Sequence, residues 1–240
     1  MQVIIDKEFW DIFPDVNIEI LVLKNVQEDK KLNDTEAKEI KELLDNANTN
    51  AKKHLTSDVI SENKVVQVWR EAYSKFPTKK GARSSIENLL KRVLHDNPVG
   101  TIAPSVDITN AISLEYALPI GAENLDSIEG DFHLGVMKGG EEFFPIGSDK
   151  EEPPLPGEVA YYDDKGAICR CWNWRDGKRT EVNDDTKNEI IIMECVEPDR
   201  VKDMQEAFSK LKELMIKYLD AEVVNDELMN KDNTEFVVNI

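Results

Sequence analysis

Apolar residues alternate with polar or second apolar ones through VNIEILVL, falling at Ile18, Ile20 and Val22, the period of a strand with a buried face. Pro14 separates this strand from an edge segment, VIIDKEFWDIF. Asn33-Asp34-Thr35-Glu36 has the form of a capping box and predicts a charged helix to about Asn48. Ser57-Asp58 is expected to open a second helix, with Val65, Val68, Trp69 and Ala72 at helical spacing and with Pro77 and Gly81 closing it. Ser84-Ser85-Ile86-Glu87 predicts a third, carrying Ile86, Leu89, Leu90 and Val93, and Asp107 to Leu118 a fourth that stops at Pro119. Beyond Asp131 the pattern shortens. FHLGVMK, EFFPIG, EVAYYD, AICRCWNW and EIIIMECV read as strands between Gly-Gly, Pro-Pro, Asp-Asp-Lys-Gly and Asp-Gly turns. Val201 to Leu219 closes the series as a helix with Met204, Phe208, Leu211 and Met215 on one face. Helices and strands partly segregate, so the expectation is an α+β fold with a mixed β-sheet and packed helices. Residues 1–219 are expected to form one domain and residues 220–240 an acidic, partly disordered tail.

Composition narrows the class. A chain of 240 residues that is 40% hydrophobic can bury a sizeable core. No apolar run approaches the roughly 18 residues of a membrane span, and MQVIIDKEFWD meets acid at its sixth position, where a signal peptide needs a basic start and an apolar middle. A soluble, cytoplasmic protein without a membrane partner is therefore expected, and a monomer. Three cysteines are an odd number and too few for a disulfide framework, so reduced thiols are expected.

A formal net charge of −18 repels polyanions and argues against DNA and against a general nucleic-acid coat. The charge is segregated, however. Lys75, Lys79, Lys80, Arg83, Lys91 and Arg92 face Glu87 alone across residues 75–92, and CRCWNWRDGKRT sets Arg170, Arg175, Lys178 and Arg179 against Asp176. Residues 141–164 carry eight acids against Lys150.

Familiar catalytic motifs are missing from the sequence. Cys169 and Cys171 make a Cys-x-Cys pair, but neither His133 nor Cys195 completes a second pair, so no metal is expected. His54, His95 and His133 are scattered, and the chain has no Gly-x-Ser-x-Gly, Walker or dinucleotide fingerprint. No cofactor is expected.

One longer constellation is more specific. VDITNAISLEYALPIGAENLDSIEGD (residues 106–131), the hairpin at Lys138-Gly139-Gly140-Glu141-Glu142, EEPPLPGEVAYYDD and VNDDTKNEIIIME follow one another in an order and spacing that resemble the editing domain of the phenylalanyl-tRNA synthetase β subunit, its B-three/B-four region. Free-standing members of that family are similar in more detail, at Arg83-Ser84-Ser85-Ile86-Glu87, at Leu118-Pro119-Ile120-Gly121 and at the Cys-Arg-x-Trp-Asn-Trp-Arg segment. The resemblance covers about residues 73–198, with residues 1–72 as an N-terminal strand and helix extension and 201–219 as a C-terminal helix. It implies an editing-domain-like fold and a trans-acting hydrolase that removes the amino acid from mischarged aminoacyl-tRNA, engaging its acceptor end. A non-catalytic RNA- or protein-binding module with the same fold is the alternative, and a small-molecule esterase a distant third.

The resemblance also assigns residues. Thr109 and Asn110 stand where the family has a Thr-Asn pair on the pocket wall, and Gly121 stands where its synthetase members carry a histidine. Glu194 is the candidate pocket acid, two residues further along than in the synthetases, an offset that keeps the same strand face. Asn110, Asn173 and the turn at Gly121 are thus expected to hold the attacking water and the oxyanion. Thr109, Glu194, Trp172, Trp174 and Arg175 are expected to bind substrate, and Lys79, Lys80, Arg83 and Lys178 the tRNA phosphates. The two indoles could instead fill core. Strand alternation would put Arg170, Trp172 and Trp174 on one face, and an arginine buried there would need a carboxylate, with Glu194 or Glu129 the candidates.

Overall fold

The computed structural model describes residues 1–28 and 32–240. Two sheets form its centre. The first contains β3 (Ile120–Asn124), β8 (Glu189–Cys195), β2 (Asn17–Lys24) and β9 (Glu222–Met229) in that order, all antiparallel. The second runs β10 (Glu235–Val237), β1 (Gln2–Ile5), β4 (Phe132–Val136), β5 (Val159–Tyr162), β6 (Ala167–Arg170) and β7 (Arg175–Asp176), antiparallel except for the β1–β4 pair. The six α-helices among the described residues are α1 (Lys7–Ile12), α2 (Asp34–Asn50), α3 (Lys64–Tyr73), α4 (Ser85–Leu94), α5 (Pro104–Tyr116) and α6 (Val201–Leu219). This is the expected α+β arrangement.

The four-stranded sheet is covered on both faces. Ile18, Ile20, Val22, Ile190 and Ile192 join the core shared with the second sheet. Leu21, Leu23, Ile191 and Met193 turn the other way, onto Met204, Phe208, Leu211 and Met215 of α6. Burial of both faces is why ILVL and IIIM read as continuous apolar runs, as strands with two buried faces generally do. It also gives Glu194 its position: two residues after Ile192, it points with Ile192 between the sheets.

Several elements depart from the sequence reading. Helix α3 begins at Lys64 and not at Ser57-Asp58, because the fully buried Asn63 organises the preceding turn: its Oδ1 accepts from Thr56 and Ser57 N–H, at 2.7 and 3.0 Å, and its Nδ2 donates to the carbonyls of Ser57 and Val59. EFFPIG forms no strand; Pro145, which has no N–H to donate, makes an isolated bridge to Gly177. The expected strand AICRCWNW stops at Arg170, since Cys171 and Trp172 adopt left-handed conformations (φ 47° and 68°) in a four-residue hairpin loop. The segment 220–240 is not a disordered tail. Strand β9 pairs along the length of β2, and β10 pairs with β1. Exposed acids are compatible with such an edge strand, where charge discourages further pairing.

Candidate functional site

The site lies between the two sheets and draws on strands of both and on α4. On the first sheet, Gly121 and Glu123 of β3 face inward two residues apart, beside Ile192 and Glu194 of the neighbouring β8. The second sheet closes the space with Tyr161 of β5, Cys169 of β6 and the hairpin residues Asn173 and Trp174, while Asp176 stands at the rim. Ser85, in the first turn of α4, completes the wall. The enclosed cavity is about 50 Å³.

Its chemistry is unusual because so many polar atoms in it are idle. Ser85 Oγ, Glu123 Oε2, Asn173 Nδ2 and Glu194 Oε2 are buried and without a well-formed hydrogen bond, whereas buried polar groups are almost always paired with protein or water. The opposite atoms of two of these side chains are held firmly. Tyr161 Oη donates to Glu194 Oε1 at 2.9 Å, and Tyr73 Oη donates to Asn173 Oδ1 at 2.9 Å. The second bond leaves Asn173 Nδ2 turned towards Glu194, whose charged form it favours without closing a well-formed hydrogen bond.

Lysine, arginine and histidine are absent from the lining residues. Burial accordingly pushes the Glu194 carboxyl up to about 8, against the pull of the Tyr161 and Asn173 side chains. Burial also raises Glu123 well above the carboxylate range, reinforced by Asp176 and opposed by Thr180 and Arg179. Burial of its carboxyl raises Asp176 as well, opposed by the Cys169 side chain, although the residue as a whole is exposed. Burial raises the thiols of Cys169, Cys171 and Cys195, so all three remain protonated and poor nucleophiles. They are buried and unpaired. Among the described residues, no group of three His, Cys, Asp or Glu side chains is arranged to hold a metal ion.

A second, open cleft of about 380 Å³ adjoins the cavity, lined by Trp69, Arg70, Tyr73, Thr78, Arg83 and Ser84 among others. The two share a boundary. Tyr73 borders the cleft and bonds to Asn173 in the cavity, and Ser84 and Ser85 are consecutive at the start of α4. Ser84 caps α4, accepting from Glu87 N–H, but Glu87 turns its carboxylate to Arg70 in a two-bond pair of 3.0 and 2.6 Å. Arg83 forms only a 3.2 Å bond to the Gly81 carbonyl.

The structure sorts the expected residues into groups. Gly121, Asn173, Trp174 and Glu194 meet in the cavity. Thr109 and Asn110 lie on α5 and do not line it; Thr109 donates to the Val106 carbonyl of its own helix. Trp172 is not a substrate platform. Its left-handed backbone turns the indole into the core, fully buried against Phe9, Phe13 and Trp69 at centroid distances of 5.1, 4.7 and 5.0 Å. Arg170 is buried too, and its partner is neither Glu194 nor Glu129. Glu158 takes its Nε and Nη2 at 2.9 and 2.6 Å, and the Glu152 carbonyl takes Nη1 at 2.7 Å. Arg175 is half-buried outside the cavity lining. Of the expected phosphate contacts, Lys79 pairs with Glu152 and Lys178 with Asp149, Lys80 is exposed, and Arg83 borders the cleft. Ser85, Glu123, Tyr161 and Asp176 were missed. Glu123 had a signal: in a strand IGAEN it sits two residues from Gly121 and shares its face.

Comparison with known proteins points in one direction. Residues 68–226 match the B3/4 domain family. Phenylalanine–tRNA ligase β subunits of Fusobacterium nucleatum and Methylococcus capsulatus are 30% and 25% identical over 112 and 114 residues, 46% and 48% of this chain but only 13% and 14% of those longer proteins. In shape, the chain is similar over 98% of its length to 53% of an N-terminal fragment of the phenylalanyl-tRNA synthetase β subunit from Pyrococcus horikoshii, with a TM-score of 0.54 at 12% identity. No helix among the described residues is long and apolar enough to cross a membrane.

Proposed function

Because the chain belongs to the B3/4 domain family, we propose that it is a trans-acting editing hydrolase, which removes the amino acid from mischarged aminoacyl-tRNA. The observation that carries this reading is the cavity itself: four polar atoms without a well-formed hydrogen bond, enclosed between the sheets next to an open cleft with Arg83 and the start of a helix. The cleft suits the terminal adenosine and its phosphate. Arg83 and the positive end of α4 attract the phosphate, while Trp69 and Tyr73 supply apolar wall. Lys80 stands exposed on the adjoining loop.

Hydrolysis in such a site needs no protein nucleophile, which fits the protonated thiols. A water oxygen bonds to the ester carbonyl carbon, the bond from that carbon to the ribose oxygen breaks, and the water's proton passes to the departing ribose oxygen, directly or through the neighbouring ribose hydroxyl. In this reading Asn173 Nδ2 donates to the developing oxyanion, and the bond from Tyr73 to its Oδ1 holds the amide in place. Gly121 leaves the cavity wall without a side chain, and a methyl group there would meet nothing within 4 Å. Positioning and oxyanion stabilisation suffice for an ester, which is intrinsically labile.

A non-catalytic RNA- or protein-binding module is the second reading, favoured by Gly121 where the synthetase relatives carry a histidine. A panel of labelled aminoacyl-tRNAs separates the two. Hydrolysis of at least one mischarged species, with most correctly charged ones left intact, is the expected result; rates no higher than spontaneous decay across the panel would favour the binding module. Within the panel, Asn173→Ala should lower the rate itself.

A further inference from the structure

Hydrolysing an ester does not by itself call for buried acids, yet the cavity has two. Glu123 is 3% exposed and Glu194 1% exposed, and each keeps one idle carboxyl oxygen. Three other buried acids meet a guanidinium, Glu158 with Arg170, Asp163 with Arg179 and Glu87 with Arg70, while the buried Glu28 and Glu189 lie against each other in another part of the molecule. A buried acid left alone is costly, and a cation brought by a ligand would relieve that cost. The third idle group is of opposite character. Asn173 is 8% exposed, and its Nδ2 is a donor held in place through its own Oδ1.

Acids beside one fixed donor describe a complementary ligand: a cationic donor next to a carbonyl acceptor. An aminoacyl ester carries that pair on adjacent carbons. We propose that the inner cavity binds the α-ammonium group of the aminoacyl ester between Glu123 and Glu194, while Asn173 Nδ2 donates to the ester carbonyl. The proposal names the substrate group recognised by the deacylase and rests on that reading. It makes the cavity a receptor for the part that aminoacyl esters share, so that the amino-acid side chain lies towards the mouth, near Trp174 and Asp176. Size supports this assignment. About 50 Å³ accepts an ammonium and its neighbouring atoms, whereas an apolar cavity that takes up a benzene ring is nearer ~150 Å³.

The test uses the full chain and a non-hydrolysable substrate analogue, 3′-(alanylamino)-3′-deoxyadenosine, beside its Nα-acetyl form and the Nα-acetyl-lysyl counterpart, titrated calorimetrically. The free-amine analogue is expected to bind roughly tenfold or more tightly than the acetylated one, the scale of one charge-assisted hydrogen bond. The double variant Glu123→Gln, Glu194→Gln should lose that preference; the wild-type comparison stands even if this variant does not fold. Equal affinities for the free and acetylated forms, or no binding of either, would overturn the proposal. So would binding of the Nα-acetyl-lysyl form as tight as that of the alanyl form, because the cation taken would then be a side chain. Hydrolysis of Nα-acetyl-aminoacyl-tRNA as fast as of the unblocked ester would overturn it too, while upholding deacylation. Amine-selective analogue binding without turnover of any aminoacyl-tRNA would uphold the ammonium site and defeat the deacylase reading.

Discussion

Arg170 and Asn173 are three residues apart in one hairpin, both buried and both polar, yet their surroundings differ in kind. Around Arg170, Glu158 and the Glu152 carbonyl take three of its nitrogens, and Glu158 also accepts from Cys171 N–H. Around Asn173, one amide atom is fixed by Tyr73 and the other faces a cavity in which Ser85, Glu123 and Glu194 also have idle atoms. A closed network of this sort stabilises the fold and has nothing left to offer a ligand. An open one stabilises the fold less and keeps its hydrogen-bonding capacity for what enters.

The largest expected effect breaks the closed network. Arg170→Met strands the buried Glu158 carboxylate and should cost about 3–5 kcal/mol; Trp172→Ala, removing the indole at the centre of the aromatic cluster, should cost a similar ~3–5 kcal/mol. Chemical denaturation would measure both. A loss below about 1 kcal/mol for Arg170→Met would mean that this pair is not the structural half of the comparison.

Glu194→Gln should do the reverse, and the effect depends on pH. The folded carboxyl titrates at about 8, raised from the usual 4.5, so across that window the folded protein binds more protons than the unfolded chain. The contribution of Glu194 to stability is therefore fully present below pH 4.5, is lost as pH rises from there to about 8, and levels off above. Glu19, raised to about 7 by burial and by Asp226, adds in the same direction. Glu194→Gln removes its share of the fall, so the variant should exceed the wild type by on the order of a few kcal/mol at pH 8 and converge with it near pH 5. Denaturation curves at the two pH values would show this, and parallel profiles for variant and wild type would place Glu194 in an already compensated environment.

Charge reversal sharpens the outer part of the site. Arg83→Glu, at the cleft, should raise KM for aminoacyl-tRNA and flatten its salt dependence. Lys178→Glu alters a cation already engaged by the exposed Asp149 and should change KM less. The reverse ranking would place the tRNA along the 178–180 segment instead. The smallest effect on stability belongs to Gly121→Ala. Its added methyl meets no atom within 4 Å, so stability should stay within about 0.5 kcal/mol while turnover falls as the cavity narrows.

Much of the fold was legible in the sequence. The capping box at Asn33 is present, with Glu36 returning to the Asn33 N–H at 3.0 Å, and α6 runs over the expected Val201–Leu219. The apolar runs identified the strands β2 and β8. Local hydrogen bonding and periodicity determine such elements, and both are written in neighbouring residues. Strand β9 was hidden because Asn225, Asp226 and Glu227 interrupt its apolar residues and its place is set by β2, some 200 positions earlier in the chain.

The site divides in the same way. Gly121, Asn173, Trp174 and Glu194, named from the resemblance, line one cavity, and the two-residue offset of Glu194 kept it on the inward face. Which residues of CRCWNWR are core and which are site was decided by two left-handed residues, Cys171 and Trp172, that end the alternation of the strand. Neither is glycine, so the sequence carries no mark of the turn; the packing of the indole against Phe9, Phe13 and Trp69 holds it. The choice of Glu158 for Arg170 likewise depended on β5 and β6 lying side by side. The sequence alone determined the family and most elements, because these depend on residue type and short-range spacing. Tertiary structure alone decided which buried polar groups are satisfied, because a hydrogen bond depends on where distant segments meet.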